Sequence, residues 1–398
     1  ITIDSIINED TLQIGNNYNS IPNIISTHEN AFKSQFLYEK SEFDTSIFSP
    51  IDTLNGISIN VVNSNQNAQF LSIKLKLATD SILDNRHPHT DGFTEVYNIN
   101  TFLNNGQNRF NFQEPFVLDS TSNLLVEFSL TNSIANDTSW VECHPITSMA
   151  LFTNDSKDLF FNEAENIHIN NNSLSSISDE ITISMWIYGN QNILPKNTSI
   201  LEGLDSLGNR AINIHLPWSN SNVYWDCGNN GSTYDRISSY TNNSSYSSSW
   251  NHWAFTKNAN TGEMKVYLNG DSLIFGTGKI LPMNIESIYL GSNAFGSNYW
   301  SGKIKELQIF DAELGQDTIR AWMNIRLDNN HPNYTDLIAY YPINEGNGAY
   351  ISDNSGNNIL SNILGNPNWG YSRGSDLTCF FEEQNFRPNI TFYSGNYN

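Results

Sequence analysis

Basic residues are scarce in this 398-residue chain: 19 Lys and Arg stand against 41 Asp and Glu, a net charge of −22. A surface so short of cations repels phosphate backbones, which excludes nucleic acid as a partner. An anionic membrane surface is disfavoured for the same reason. Charge of either sign is sparse, at 15% of residues, against about a quarter in an average domain. No apolar run nears the ~20 residues that span a bilayer, so membrane insertion is not expected. Cysteine is limited to Cys143, Cys227 and Cys379, with no C-x-x-C pair. At most one intramolecular disulfide can form, and zinc and redox signatures are missing. Also absent are the G-x-S-x-G elbow, the H-E-x-x-H pair and a phosphate-cradling glycine loop. Ile1-Thr-Ile-Asp-Ser5 shows neither a basic nor an apolar leader segment, which leaves a cytosolic chain or one whose leader has been removed.

Asparagine takes the place of the missing charge, at roughly 15% of the chain, with Ser and Thr abundant beside it. Such amide and hydroxyl richness is typical of hydrated β proteins outside the cell, so a secreted protein is expected. Aromatics at 12% are too many for a disordered chain. Period-two alternation dominates: Leu71, Ile73, Leu75 and Leu77; Leu124, Val126, Phe128 and Leu130; Ile181, Ile183, Met185 and Ile187; Ile212, Ile214 and Leu216; Met264, Val266 and Leu268. Turn clusters of Asn, Gly, Ser and Asp separate these runs. The pattern predicts an all-β chain of two antiparallel β-sandwiches. One short helix is expected near 315–327, where Ile319, Trp322, Met323 and Ile325 take helical spacing, with Asp317 at its start and Arg326 at its end. The polar stretch from Thr131 divides the chain into a sandwich over 1–139, a connector over 140–149 and a second sandwich over 150–379. Residues 380–398 read as a closing strand or the start of a further module.

Within the second part, Trp250-Asn-His-Trp-Ala-Phe-Thr256 followed by Gly262-Glu-Met-Lys-Val-Tyr-Leu-Asn-Gly270 pairs two strands across an Asn-Gly turn. Ile288-Tyr-Leu-Gly-Ser292, Trp300-Ser-Gly-Lys-Ile-Lys-Glu-Leu-Gln-Ile-Phe310 and Leu337-Ile-Ala-Tyr-Tyr-Pro-Ile-Asn-Glu-Gly346 continue the series. Together these resemble a laminin G-like, concanavalin A-like jelly roll over about 150–370. The first part carries Gln35-Phe-Leu-Tyr-Glu-Lys-Ser-Glu42, Phe110-Asn-Phe-Gln-Glu-Pro-Phe116 and Leu118-Asp-Ser-Thr-Ser-Asn-Leu-Leu-Val-Glu127. It is similar to a β-sandwich module of secreted bacterial surface proteins. The pair, closing with Arg387-Pro-Asn-Ile-Thr-Phe392, resembles the non-catalytic part of secreted proteins related to peptide-N-glycosidase F. The laminin G-like resemblance implies a calcium at the rim, for which Asp226, Asn229 and Asp235 supply oxygens; the alternative is Asx-turn hydrogen bonding. A jelly roll also brings its termini together, which implies that Cys143 and Cys379, bracketing the second sandwich, form a disulfide.

The rings Trp218, Tyr224, Tyr234, Tyr240 and Tyr246 lie among Asn and Ser. Sugars stack their apolar faces on rings while amides take the hydroxyls, so this composition suits a glycan site. The competing reading places rings between the sheets, and Trp250 and Trp253 are assigned there. Paired carboxylates for hydrolysis are not found: Glu163, Glu165, Glu202 and Asp205 read as turn residues, and no catalytic residue is assigned. Cys227 reads as a buried, inert thiol, and His87, His89 and Asp91 as a polar loop. The function expected is therefore an extracellular binding or adhesion segment recognising a glycan or glycoprotein through the jelly-roll rim, in company with other domains of a larger surface protein. The alternatives are an accessory region of a glycan-releasing amidase or glycosidase, and a structural spacer.

Overall fold

The computed structural model describes residues 9–16, 19–22, 24–43, 47, 51–62, 66–119, 121–170 and 172–395. The ends of the first and last expected segments, 1–8 and 396–398, lie outside the described residues. The chain is mostly antiparallel β and forms two compact units, Ile1–Ser156 with Tyr371–Asn398, and Lys157–Gly370. Among the described residues, no helix is long and apolar enough to cross a membrane.

In the first unit the strand Ala31–Tyr38 is buried along all its length and pairs with Asn123–Thr131 on one side and Trp140–Thr153 on the other. The expected alternation places Leu71, Ile73 and Leu75 in one core with Val126 and Phe128. Buried Glu127 offsets Lys33, 3.6 Å away, and accepts a hydrogen bond from Gln35 Nε2 at 2.9 Å.

Two expected boundaries move. Residues 140–149 are no connector but the first ten positions of the strand Trp140–Thr153, which pairs with Asn19–Ile21 and Glu382–Pro388 as well as with Ala31–Tyr38. Val141, Cys143, Ala150, Leu151 and Thr153 are its buried positions, while Pro145 and the polar middle hide the alternation from a sequence reading. The closing stretch runs as Glu382–Pro388 and Ile390–Ser394, the latter pairing with Asp10–Ile14 and with Ile51–Val62. This unit is thus built from both ends of the chain, and the second unit is spliced between them.

No disulfide joins Cys143 and Cys379; both are buried thiols. The Cys379 carbonyl accepts from Thr153 Oγ1 at 3.1 Å, and Thr153 lies ten residues beyond Cys143 on the same strand. At ~3.3 Å per residue that is roughly 30 Å, far past the ~7 Å limit for a bridge.

The second unit has two packed sheets. One is ordered Asp271–Gly276, Glu263–Leu268, Asn251–Asn258, Glu180–Gly189, Ser301–Phe310, Lys157–Asn162, Asn368–Tyr371, with Leu337–Tyr341 also on Ser301–Phe310. The other has eight strands: β1 (Asn166–Asn170), β2 (Leu201–Leu204), β3 (Arg210–His215), β4 (Asn222–Asn229), β5 (Tyr234–Tyr240), β6 (Ser287–Leu290), β7 (Tyr350–Ile351) and β8 (Ser361–Leu364). Their order is β5-β4-β3-β2-β6-β1-β8-β7. Alternate residues of both sheets meet in one core, with Trp225, Trp253 and Phe255 at its centre. The expected helix is present but shorter, Gln316–Trp322, with Asp317 in its first turn and Arg320 in its last. Ile319 seats it beside Phe310, Leu314 and Leu327. Arg326 lies beyond the helix and faces Glu306 at 3.6 Å.

Candidate functional site

Side chains alternate across a strand, so positions between the core residues of β1–β8 point outward. Partners in register share a face. Arg236 faces Asp226, Asp226 faces Asn213, and Asn213 faces Glu202. Glu202 faces Tyr289, Tyr289 faces His168, His168 faces Asn362, and Asn362 faces Tyr350. One polar and aromatic row therefore crosses all eight strands on the outer face, while Ile212, Ile214, Val223, Trp225 and Cys227 take the inner one.

Its charged end is locked. Asp226 is fully buried and accepts from Arg236 Nη2 at 2.7 Å and Arg210 Nη1 at 3.2 Å. Glu202, 3% exposed, accepts from Arg210 Nε at 3.1 Å, Asn213 Nδ2 at 2.8 Å and the Ala294 amide at 2.8 Å. The expectation of a turn residue at Glu202 is corrected: it is a strand position, and its oxygens are consumed by donors. Asp205 is the turn residue, accepting from the Leu207 and Asn209 amides. Glu163 pairs with Lys196, and Glu165 accepts from the Asn162 amide at 2.7 Å, so both are turn residues as read.

Around this lock the rings assemble. The Arg236 guanidinium lies 4.8 Å from the Tyr224 ring and 5.0 Å from the Tyr234 ring, within cation–π range of both. His215 sits edge-on to Trp218 at 4.5 Å and to Tyr224 at 6.0 Å. Its Nδ1 is 2.6 Å from the Thr198 carbonyl, an acceptor only, so Nδ1 carries the proton and Nε2 is left as an acceptor. Burial holds the His215 pKa below the ordinary histidine value, so the ring is neutral at pH 7. Tyr224 Oη accepts from Asn220 Nδ2 at 2.9 Å and Asn222 Nδ2 at 3.3 Å; these bonds lower its pKa and leave its own proton to be donated. Trp218 and Tyr224 are half-buried, Tyr234 is 43% exposed and Tyr240 64%. Tyr240 faces Asn222 in register on the same outer side.

Four of the five expected rings thus share one strip. Tyr246 does not. It is 1% exposed, belongs to the core, and its carbonyl accepts from the Gly189 amide at 3.0 Å. Tyr224, Tyr234 and Tyr240 lie on the sheet face, and Trp218 on the loop that joins β3 to β4.

The three proposed calcium ligands do not fit a cation. Asp226 Oδ1 and Oδ2 already face two guanidiniums, Asp235 Oδ2 accepts from Lys257 Nζ at 2.8 Å, and Asn229 Oδ1 accepts from the Gly231 amide. Calcium seeks six to eight oxygens turned inward, and here the charged ones already hold protein cations. Among the described residues no group of three or more His, Cys, Asp or Glu could hold a metal ion. In the first unit, His87 turns to Asp84 at 3.0 Å and His89 to Asp80 at 3.6 Å, so they do not converge. Cys227 is fully buried, and burial pushes its thiol pKa up, as suits an inert residue.

Arg210, Arg236, His215 and Asn213 were missed by the sequence reading, which also took Glu202 for a turn residue. The run Ile212-x-Ile214 already placed Asn213 and His215 together on the outer face, and the same parity on β4 adds Tyr224 and Asp226.

Residues 161–320 match the family model of the concanavalin A-like lectin/glucanases superfamily. A comparison with curated proteins finds no match. Among solved structures, a Bacteroides ovatus protein described as carbohydrate-binding is similar at 12% identity and a TM-score of 0.41, over 81% of this chain and 92% of that one. A heptameric pentraxin from Limulus polyphemus is similar at 15% identity and a TM-score of 0.36, over 56% of this chain and 98% of that one. A botulinum neurotoxin C/D receptor-binding domain is similar at 20% identity and a TM-score of 0.35, over 45% of this chain and 43% of that one.

Proposed function

We propose that the second unit binds carbohydrate on the outer face of β3–β5, outside the cell and without turnover. The observation that carries this reading is the partly open strip of Trp218, Tyr224, Tyr234 and Tyr240, in which His215 holds Trp218 and Tyr224, and Arg236 holds Tyr224 and Tyr234. Rings fixed by such neighbours lose little rotamer freedom when a sugar stacks on them. Asn220, Asn222 and the Tyr224 hydroxyl supply oriented polar groups beside them. The superfamily match over 161–320 places this face on a fold named for lectins as well as glucanases. Non-catalytic recognition is favoured because hydrolysis needs an acid and a base facing the ligand, whereas Glu202 and Asp226 are spent on Arg210, Arg236 and Asn213. The asparagine-rich, cation-poor composition supports an extracellular segment of a larger secreted protein, with a glycan or glycoprotein as partner. A glycan array with wild type, Trp218→Ala and Tyr224→Ala tests the reading. Loss of one stacked ring weakens binding roughly 3- to 10-fold, from the ~0.5–1.5 kcal/mol of an aromatic contact. Unchanged profiles in both variants reject it.

A further inference from the structure

The strand β3 ends at His215, which faces Tyr224 of β4 in register and is only 4% exposed. Its two ring nitrogens are in different situations. Nδ1 is tied to the Thr198 carbonyl at 2.6 Å. Thr198 is itself pinned, its hydroxyl donating to the Pro217 carbonyl at 2.8 Å and accepting from the Leu216 amide at 3.2 Å. The imidazole therefore has one orientation and one tautomer, with its lone pair on Nε2. Among the described residues Nε2 has no hydrogen-bond partner, yet it is not sealed in, unlike the unpaired His252 Nδ1 and Asn213 Oδ1. It opens at the strip, between the Trp218 and Tyr224 rings, whose centroids lie 4.5 and 6.0 Å from that of His215.

A ligand that covers this acceptor must bring it a proton or leave it unpaired. The polar groups beside it are donors. Tyr224 Oη accepts from Asn220 and Asn222 and has its own proton to give, and Arg210 and Arg236 carry only N–H groups. Their charges are offset by Glu202 and Asp226. Burial above all, aided by Arg210 and Arg236, keeps the imidazole uncharged against the Thr198 bond and Asp226. A carboxylate or sulfate oxygen would set lone pair against lone pair here, whereas a hydroxyl donates. Resting on the reading that the strip binds sugar, we infer that His215 Nε2 is its specificity-determining acceptor. It takes a hydrogen bond from one hydroxyl of a neutral pyranose stacked on Trp218 or Tyr224, and it rejects sugars that are deoxygenated, etherified or acidic at that position.

Isothermal titration with methyl glucoside, galactoside and mannoside, and with the monodeoxy and monodeoxyfluoro analogues of whichever binds, tests it. At one position both analogues should bind about 5- to 100-fold more weakly than the parent, because Nε2 is then covered and unpaired. His215→Asn keeps a donor for Thr198 but removes the acceptor. In that variant the parent should weaken to the level of the analogues, so the distinction at that position disappears. Nitrogen NMR of the wild-type imidazoles needs no variant: the parent should shift the Nε2 resonance, and the deoxy analogue should not. Parent and analogues weakened in equal proportion by His215→Asn would show that the ring only props its neighbours. That result overturns the inference, as does an Nε2 resonance unmoved by the parent, or a wild type that tolerates deoxygenation at every position. If Trp218→Ala weakens the parent while His215→Asn leaves the distinction intact, this inference alone fails. Binding untouched by both Trp218→Ala and Tyr224→Ala, or no binding of any glycoside, removes the strip reading as well.

Discussion

The most demanding consequence of the outer-face lock concerns Asp226→Asn. The carboxylate is fully buried, whereas its partners Arg210 and Arg236 are 31% and 35% exposed. Removing one member of a fully buried ion pair costs about 3–5 kcal/mol, because a charge is left without compensation. Here the stranded charges are guanidiniums that water reaches in part, and Glu202 still serves Arg210. The expected loss is therefore about 2–3 kcal/mol. For a unit of this size, ~1 kcal/mol moves the melting temperature by about 2–4 °C, so thermal unfolding should drop by about 4–12 °C. Arg236 would also lose its anchor between Tyr224 and Tyr234, so glycan affinity should fall more than in Asp226→Glu. Replacing the pair together, Asp226→Leu with Arg236→Met, while Arg210 stays on Glu202, should recover stability but not binding. A melting temperature for Asp226→Asn within about 1 °C of wild type would refute the reasoning, since it would mean that the carboxylate holds nothing.

Tyr246→Ala should cost about 3–5 kcal/mol by calorimetry, as for other buried aromatics, whereas Tyr240→Ala should stay within about 0.5 kcal/mol. Acid should destabilise the second unit. Burial depresses His331 to about 4 and His252 to about 3, so between ~6.5 and those values the unfolded chain binds more protons and stability falls as pH falls. His331→Gln should flatten that slope in urea melts taken at pH 7 and pH 5. Thiol titration should find no reactive cysteine in the native protein and all three after denaturation, because each is buried and burial raises Cys143 to about 11. A chelator should leave the melting temperature unchanged, since Asp226 and Asp235 already hold protein cations.

The fold was largely legible because alternation is a local signal: Ile181–Ile187, Ile212–Leu216 and Met264–Leu268 declare their buried faces unaided. The strand Trp140–Thr153 was not, since Pro145 and polar neighbours interrupt its pattern and its support comes from Glu382–Pro388, more than two hundred residues away. The same distance effect misled the cysteine reading, which placed Cys379 at the end of the second unit when the chain has by then returned to the first. In the candidate site, ring density located the region, but density does not state which way a ring faces. Tyr246, outside any strand, had no parity to consult and proved to be core. Asp226 and Asp235 attracted a calcium assignment because the lysine and arginines that neutralise them lie on neighbouring strands or nearby in space, invisible to a window of sequence.

Recognition without turnover requires that a sugar touch the β3–β5 face. Saturation-transfer NMR and tryptophan fluorescence on wild type, Trp218→Ala and Tyr224→Ala, with the oligosaccharide that ranks first on the array, measure this in one preparation. The expected result is ring-face contact in wild type that weakens roughly 3- to 10-fold in each variant, with no cleavage of the sugar. Undiminished contact in both variants, or release of a hydrolysed product that stops with Glu202→Gln, would contradict it.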